Sequence, residues 1–130
     1  MNTTSKYVVD SSALLAVIYD ETGRAEVEKI LIHAVISAVN FSEMIGKLAL
    51  DGIPADKSAN DLTGMVHSII PFDREIAFIA GRMAPKTRSL GLSLGDRACL
   101  ATAEHLGMEA VTADKVWAKY KGPVKIKLIR

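Results

Sequence analysis

Four carboxylates in this chain stand where chemistry is usually found. Asp10 and Asp114 each lie just past a short apolar segment, Asp96 lies at the entrance of a helix of small residues, and Glu43 lies near the start of another helical stretch. In an open α/β sheet, ligands bind beyond the carboxyl ends of the strands, so acids at those points are candidates for one common site. Carboxylates packed together repel and raise one another's pKa unless a cation neutralises them. The natural cation is Mg²⁺ or Mn²⁺, because hard divalent ions take carboxylate and water oxygens, and Mg²⁺ often binds substrate phosphate as well. The chemistry expected is hydrolysis of a phosphodiester, with an ion that lowers the pKa of the attacking water, orients the phosphate and neutralises the leaving oxygen. Ser12 and Thr112, near two of the acids, are candidate supporting groups that hydrogen-bond a water or a carboxylate.

Each acid also has a purely structural reading. Asp10 falls on the hinge between a strand and a helix, where its side chain caps free N–H groups. Asn40 and Glu43 have roughly the spacing of a capping box, as do Ser93 and Asp96, and Asp114 can cap the turn Lys115 to Ala118. No single acid decides between the readings. Four of them at one end of a sheet favour the site.

The elements that must position these acids are legible as alternating patterns. Lys6 to Asp10 (KYVVD) predicts a strand, and ALLAVIYD a helix that stops near Gly23. Arg24 to Ile32 predicts an amphipathic helix, Ala34 to Val39 a buried strand, and Asn40 to Leu50 a helix with Phe41, Met44, Ile45 and Leu48 at helical spacing. Pro54 opens a helix that carries Leu62, Met65 and Val66. Ser68 to Phe72 predicts a short strand whose Pro71 marks its end or a sheet edge, and Asp73 caps a helix from Arg74 to Met83. Pro85 to Leu92 reads as a basic connection.

The stretch from Leu92 to Asp114 then supplies a loop, a helix, a turn at Gly107 and the strand Glu109 to Thr112. Its helix has so little polar face (Ala98, Cys99, Leu100, Ala101, Ala103, Leu106) that it must pack on several sides. Val124 to Ile129 (VKIKLI) alternates like a final, half-exposed strand. Strands and helices alternate without repeat or linker, which predicts one α/β domain over residues 1–130, with a mainly parallel sheet and helices on both faces.

Composition narrows the class further. The chain has 130 residues, 49% hydrophobic and 24% charged, as expected for an ordered globular domain. Its net charge of +1 conceals an asymmetry: residues 1–81 carry 6 Lys and Arg against 11 Asp and Glu, whereas residues 82–130 carry 10 against 4. A basic C-terminal portion is compatible with a polyanionic partner, although a solvated surface is the commoner meaning of such a scatter. The lone Cys99 excludes an internal disulfide and reads as a buried small hydrophobe. His33, His67 and His105 show no paired ligand spacing and read as structural, and Trp117 reads as a core anchor. Without a leader-like N-terminus or an apolar run long enough to span a bilayer, the expected location is cytoplasmic, with no membrane partner.

The motifs VVDSSALLA, NFSEM, GLSLGDRACLATA and VTAD with a following Trp117 resemble those of PIN-domain ribonucleases, specifically the small VapC-type toxins of toxin–antitoxin pairs. The resemblance covers Tyr7 to about Ile129, and it rests on the order and spacing of the motifs and on the run from Gly91 to Ala103. It implies an α/β/α sandwich, an acidic quartet holding Mg²⁺ or Mn²⁺, and endonucleolytic cleavage of RNA. It also implies homodimerisation and inhibition by a small cognate antitoxin. Carried onto this sequence, Asp10, Glu43, Asp96 and Asp114 are the metal-site acids, with Ser12 and Thr112 in support. Lys86, Arg88, Arg97 and Lys115 are candidate RNA-phosphate contacts on charge and sequence proximity.

Two other readings remain. One is a PIN-like RNA-binding module without turnover, against which the intact acids argue. The other is a phosphoacceptor receiver-type signalling domain, which fits less well: Asp10 is followed by Ser11 and Ser12 rather than paired with a second acid, and no Lys–Pro pair occurs late in the chain.

Overall fold

In the computed structural model, which describes residues 5–130, five short strands form one wholly parallel sheet. They are β1 (Tyr7–Val9), β2 (Ala34–Ser37), β3 (Ser68–Ile70), β4 (Glu109–Thr112) and β5 (Ile126–Leu128), in the order β3-β2-β1-β4-β5. Seven helices connect them: α1 (Ser11–Ile18), α2 (Arg24–Glu28), α3 (Ala38–Leu50), α4 (Ala55–Met65), α5 (Arg74–Arg82), α6 (Ala84–Thr87) and α7 (Leu94–Leu106). The result is a single-domain α/β/α fold. The first four residues of the expected span lie outside the described residues.

Side-chain alternation along the strands divides the core into two layers. Val9, Ile36 and Val111 face one cluster, filled by Ala13, Leu14, Met44, Leu48 and Leu62 from α1, α3 and α4. Val8, Val35 and Ala110 face the other, filled by Ile76 and Ala80 of α5, by Cys99, Leu100, Ala101 and Ala103 of α7, and by Trp117. The low-polarity helix expected in the last third is this α7, buried from Ala98 through Ala103. Cys99 is fully buried, its Sγ 3.7 Å from the Val8 carbonyl oxygen, and burial pushes its thiol well above the ordinary range, with the charges of Asp10, Asp96 and Glu43 adding. It is a packing residue and no nucleophile.

The sheet order has a direct consequence. Strands β2 and β3 lie to one side of β1, and β4 and β5 to the other, so the topological switch falls between β1 and β4. Ligand crevices open at such a switch, beyond the carboxyl ends of the strands. Receiver-type domains follow the order 2-1-3-4-5 instead, which removes that reading.

Several boundaries differ from the sequence expectation. The strand expected to reach Val39 ends at Ser37, whose Oγ accepts from the Val39 N–H at 3.2 Å and starts α3 two residues early. The helix expected to run to Ile32 stops at Glu28, and a 3-10 turn at Leu31–His33 bends the chain into β2. The basic connection from Pro85 to Leu92 is itself largely helical: α6 takes Pro85 in its first turn, a 3-10 turn follows at Arg88–Leu90, and Gly91 closes it at φ 70°, where a side chain is disfavoured. The last strand is shorter than Val124 to Ile129, because only Ile126–Leu128 pair with β4. Among the described residues no helix is long and apolar enough to cross a membrane.

Candidate active site

A cavity of about 300 Å³ opens at the switch point, lined by Asp10, Glu43, Asp96 and Asp114 together with Ser11, Ser12, Asn40 and Lys47. Each acid arrives on a different element. Asp10 directly follows β1, Glu43 stands in the second turn of α3, Asp96 is the third residue of α7, and Asp114 follows β4 by two residues. The structural and chemical readings of the three aspartates turn out to be compatible, because each caps a helix and still lines the cavity.

Asp10 is the buried member, 4% exposed. Its Oδ1 accepts from the Ala13 N–H at 2.9 Å, capping α1, and from Ser12 Oγ at 2.7 Å. Its Oδ2 accepts from Thr112 Oγ1 at 2.6 Å. A hydroxyl carries one proton, so Ser12 and Thr112 each spend theirs on Asp10, and their mutual 3.2 Å contact only records that they converge there. Their oxygens in turn accept from the Ala113 and Asp114 N–H groups, at 2.9 and 3.0 Å, fastening the chain beyond β4 to the start of α1. Burial pushes the Asp10 carboxyl up to about 6, against the pull of these three donors, and the nearby Asp96 charge adds to the rise.

Asp96 forms the expected capping box: Ser93 Oγ accepts from the Asp96 N–H, and Asp96 Oδ2 accepts from the Ser93 N–H at 2.9 Å. Its carboxyl is also raised, chiefly by burial, which overcomes the hydrogen bonding from Ser93, and the charges of Asp114 and Glu43 add to the rise. Asp114 caps the 3-10 turn Lys115–Lys119 through Oδ1, at 3.1 Å from the Val116 N–H. The box expected between Asn40 and Glu43 does not form. Both residues lie inside α3, so the Asn40 amide donates side chain to side chain, from Nδ2 to Glu43 Oε1 at 2.9 Å, and Ser11 Oγ donates to the same oxygen at 3.2 Å.

These bonds leave Asp96 Oδ1, Asp114 Oδ2 and Glu43 Oε2 without protein donors among the described residues. Such a set of hard oxygens suits Mg²⁺ or Mn²⁺. Among the described residues no three His, Cys, Asp or Glu side chains close into a cage. An ion held by one or two carboxylates, with water and a substrate phosphate completing its shell, needs no such cage.

Lys47, one turn beyond Glu43 on the same face of α3, was not singled out from the sequence, and among the described residues it is the one cation lining the cavity. Gly95 was also missed: a Cβ built there would fall on the Glu43 carboxylate. The candidate RNA contacts are dispersed. Arg97 turns toward α5, its Nη1 donating to the Ala80 carbonyl at 2.9 Å. Lys86 lines a separate pocket with Arg82, Glu104 and Lys121, two turns along α7 from Asp96. Arg88 and Lys115 are exposed, Lys115 directly after Asp114.

The fold has many counterparts. A chain of the DNA-bound VapBC structure from Salmonella typhimurium superposes with a TM-score of 0.75 at 14% identity, covering 98% of this chain and 100% of that one. FitAcB from Neisseria gonorrhoeae gives 0.69 at 18% identity, with 95% and 97% covered. VapC20 from Mycobacterium tuberculosis, a sarcin-ricin loop cleaving toxin, gives 0.69 at 14% identity, with 92% and 99% covered. Likeness at these identities is likeness of fold. No curated protein sequence matches the chain. The PIN domain family, in contrast, matches residues 7–123, nearly the whole chain, and on that match the chain belongs to the PIN domain family.

Proposed function

We propose that this chain is a divalent-metal-dependent endoribonuclease and the toxin of a toxin–antitoxin pair. The observation that carries the reading is the single cavity at the β1/β4 switch, lined by four acids from four elements. The four acids would share the ion, one or two of them directly and the others through its waters, with Asp96, Asp114 and Glu43 offering free oxygens and Asp10 kept in place by Ser12 and Thr112. When bound, Mg²⁺ or Mn²⁺ supplies Lewis acidity and neutralises phosphate charge. The chain's own contribution is orientation: capped helices fix the three aspartates, and Lys47 at the rim offers a point charge to a backbone phosphate.

The toxin assignment is supported by the VapBC and toxin–antitoxin structures that share the fold, and by the motif resemblance over nearly the whole chain. It carries with it a cognate antitoxin protein and a homodimer. The test is direct: purified, partner-free protein cleaves RNA with Mg²⁺ or Mn²⁺, EDTA stops cleavage, and added Mn²⁺ restores it. Metal uptake without cleavage across a broad RNA panel would favour the RNA-binding module instead.

A further inference from the structure

We infer that Asn40 is a positioning residue that sets the orientation of the Glu43 carboxylate by tying it to the first turn of α7. The inference rests on the metal-site reading above.

Asn40 is 2% exposed and reaches from α3, which also carries Glu43, to α7, which carries Asp96. Its Nδ2 donates twice, to Glu43 Oε1 at 2.9 Å and to the Gly95 carbonyl at 3.0 Å. Both partners are acceptors only, so the amide has one workable orientation; turned over, its own oxygen would face two oxygens. Its Oδ1 is buried and accepts no hydrogen bond in the protein. The amide is accounted for by its donor end, where both N–H groups are spent on one carboxylate and on the peptide beside Asp96.

Two features reinforce the tie. Gly95 leaves room for the Glu43 carboxylate that a Cβ would occupy, so α7 and Glu43 pack in direct contact. Ser11 Oγ donates to the same Oε1 and lies 3.4 Å from the Asn40 carbonyl oxygen, joining α1 to the arrangement. With Oε1 held from both sides, Oε2 is the oxygen left for a ligand in the cavity. Partners that orient a ligating side chain typically contribute a factor of about 10 to 100 in metal affinity.

The experiment is a Mn²⁺ titration of the metal-free protein by calorimetry, with thermal melting of every variant. Asn40→Ala is expected to weaken Mn²⁺ binding by about 10- to 100-fold. In a Glu43→Gln background, Asn40→Ala is expected to cause no further loss, since the amide acts through that carboxylate. Leu62→Ala, at a buried position of the apolar layer, is the stability control and should keep wild-type Mn²⁺ affinity while melting lower. An Asn40→Ala affinity within about twofold of wild type, or losses that add in the double variant, would overturn the inference and leave the metal site standing. If wild-type protein takes up no Mn²⁺, or Glu43→Gln binds as wild type does, the site reading fails and the role of Asn40 falls with it.

Discussion

The acid cavity and a larger apolar groove differ in almost every respect. The groove, about 930 Å³, runs between α1, α3 and α4 and is walled by Val17, Ile18, Leu31, Leu48, Ile53, Leu62 and Met65. The acid cavity is a third of that size, yet it collects four carboxylates and the switch point of the sheet. Size therefore does not locate the chemistry here. What locates it is convergence of polar groups from separate elements, the three aspartates held by backbone bonds that begin a helix or turn and Glu43 by side-chain bonds from Asn40 and Ser11.

Substitutions should separate the two regions. At the groove, Leu62→Ala removes a fully buried side chain and should cost about 2–5 kcal/mol of stability in a denaturant titration, with Mn²⁺ affinity of the folded fraction unchanged. A loss of Mn²⁺ binding there would mean that the two regions are coupled. At the acid end, the metal-free protein should respond to pH through Asp10. Its folded pKa of about 6 lies above the ordinary 3.8, so the stability it contributes is fully present below about pH 4 and is lost as pH rises through about 6. That difference is roughly 3 kcal/mol between the two limits, read as wild type against Asp10→Asn in melts from pH 4 to 8. Mn²⁺ should offset the loss at pH 8, because an ion favours the charged carboxylate.

A smaller and opposite pair of effects compares two helical glycines. Gly64, in the groove wall, has open space where a Cβ would go, so Gly64→Ala should raise stability by about 0.5–1 kcal/mol. Gly95→Ala has the same intrinsic benefit but displaces Glu43, and should lower Mn²⁺ affinity instead. Equal behaviour of the two variants in melting and Mn²⁺ titration would contradict the close packing of Glu43 on α7.

Much of the architecture was legible in the sequence, for physical reasons that also explain the rest. Short β-branched runs such as Tyr7–Val9 and the small-residue helix Leu94–Leu106 leave few alternatives. The start of α3 was misplaced because Ala38 and Val39 are apolar and continue the strand pattern, while the deciding event is a cap at Ser37. That shift changes the meaning of Asn40 and Glu43, since a spacing of three suits a capping box at a helix entrance and a side-chain pair inside one. Gly95 could not be singled out from the sequence, because its reason lies on another helix. Lys47 had a local signal, four residues from Glu43, that gains meaning only once the cavity is known.

Whether the four acids form a nuclease site is decided by RNA cleavage by wild type, Asp10→Asn and Asp96→Asn, each shown folded by circular dichroism and assayed with saturating Mn²⁺. Wild type should cleave, and each variant should lose at least about 10²-fold, since each removes a charge from the proposed ion-binding cavity. Folded variants that cleave as well as wild type would contradict this, and would return Asp10 and Asp96 to being helix caps alone.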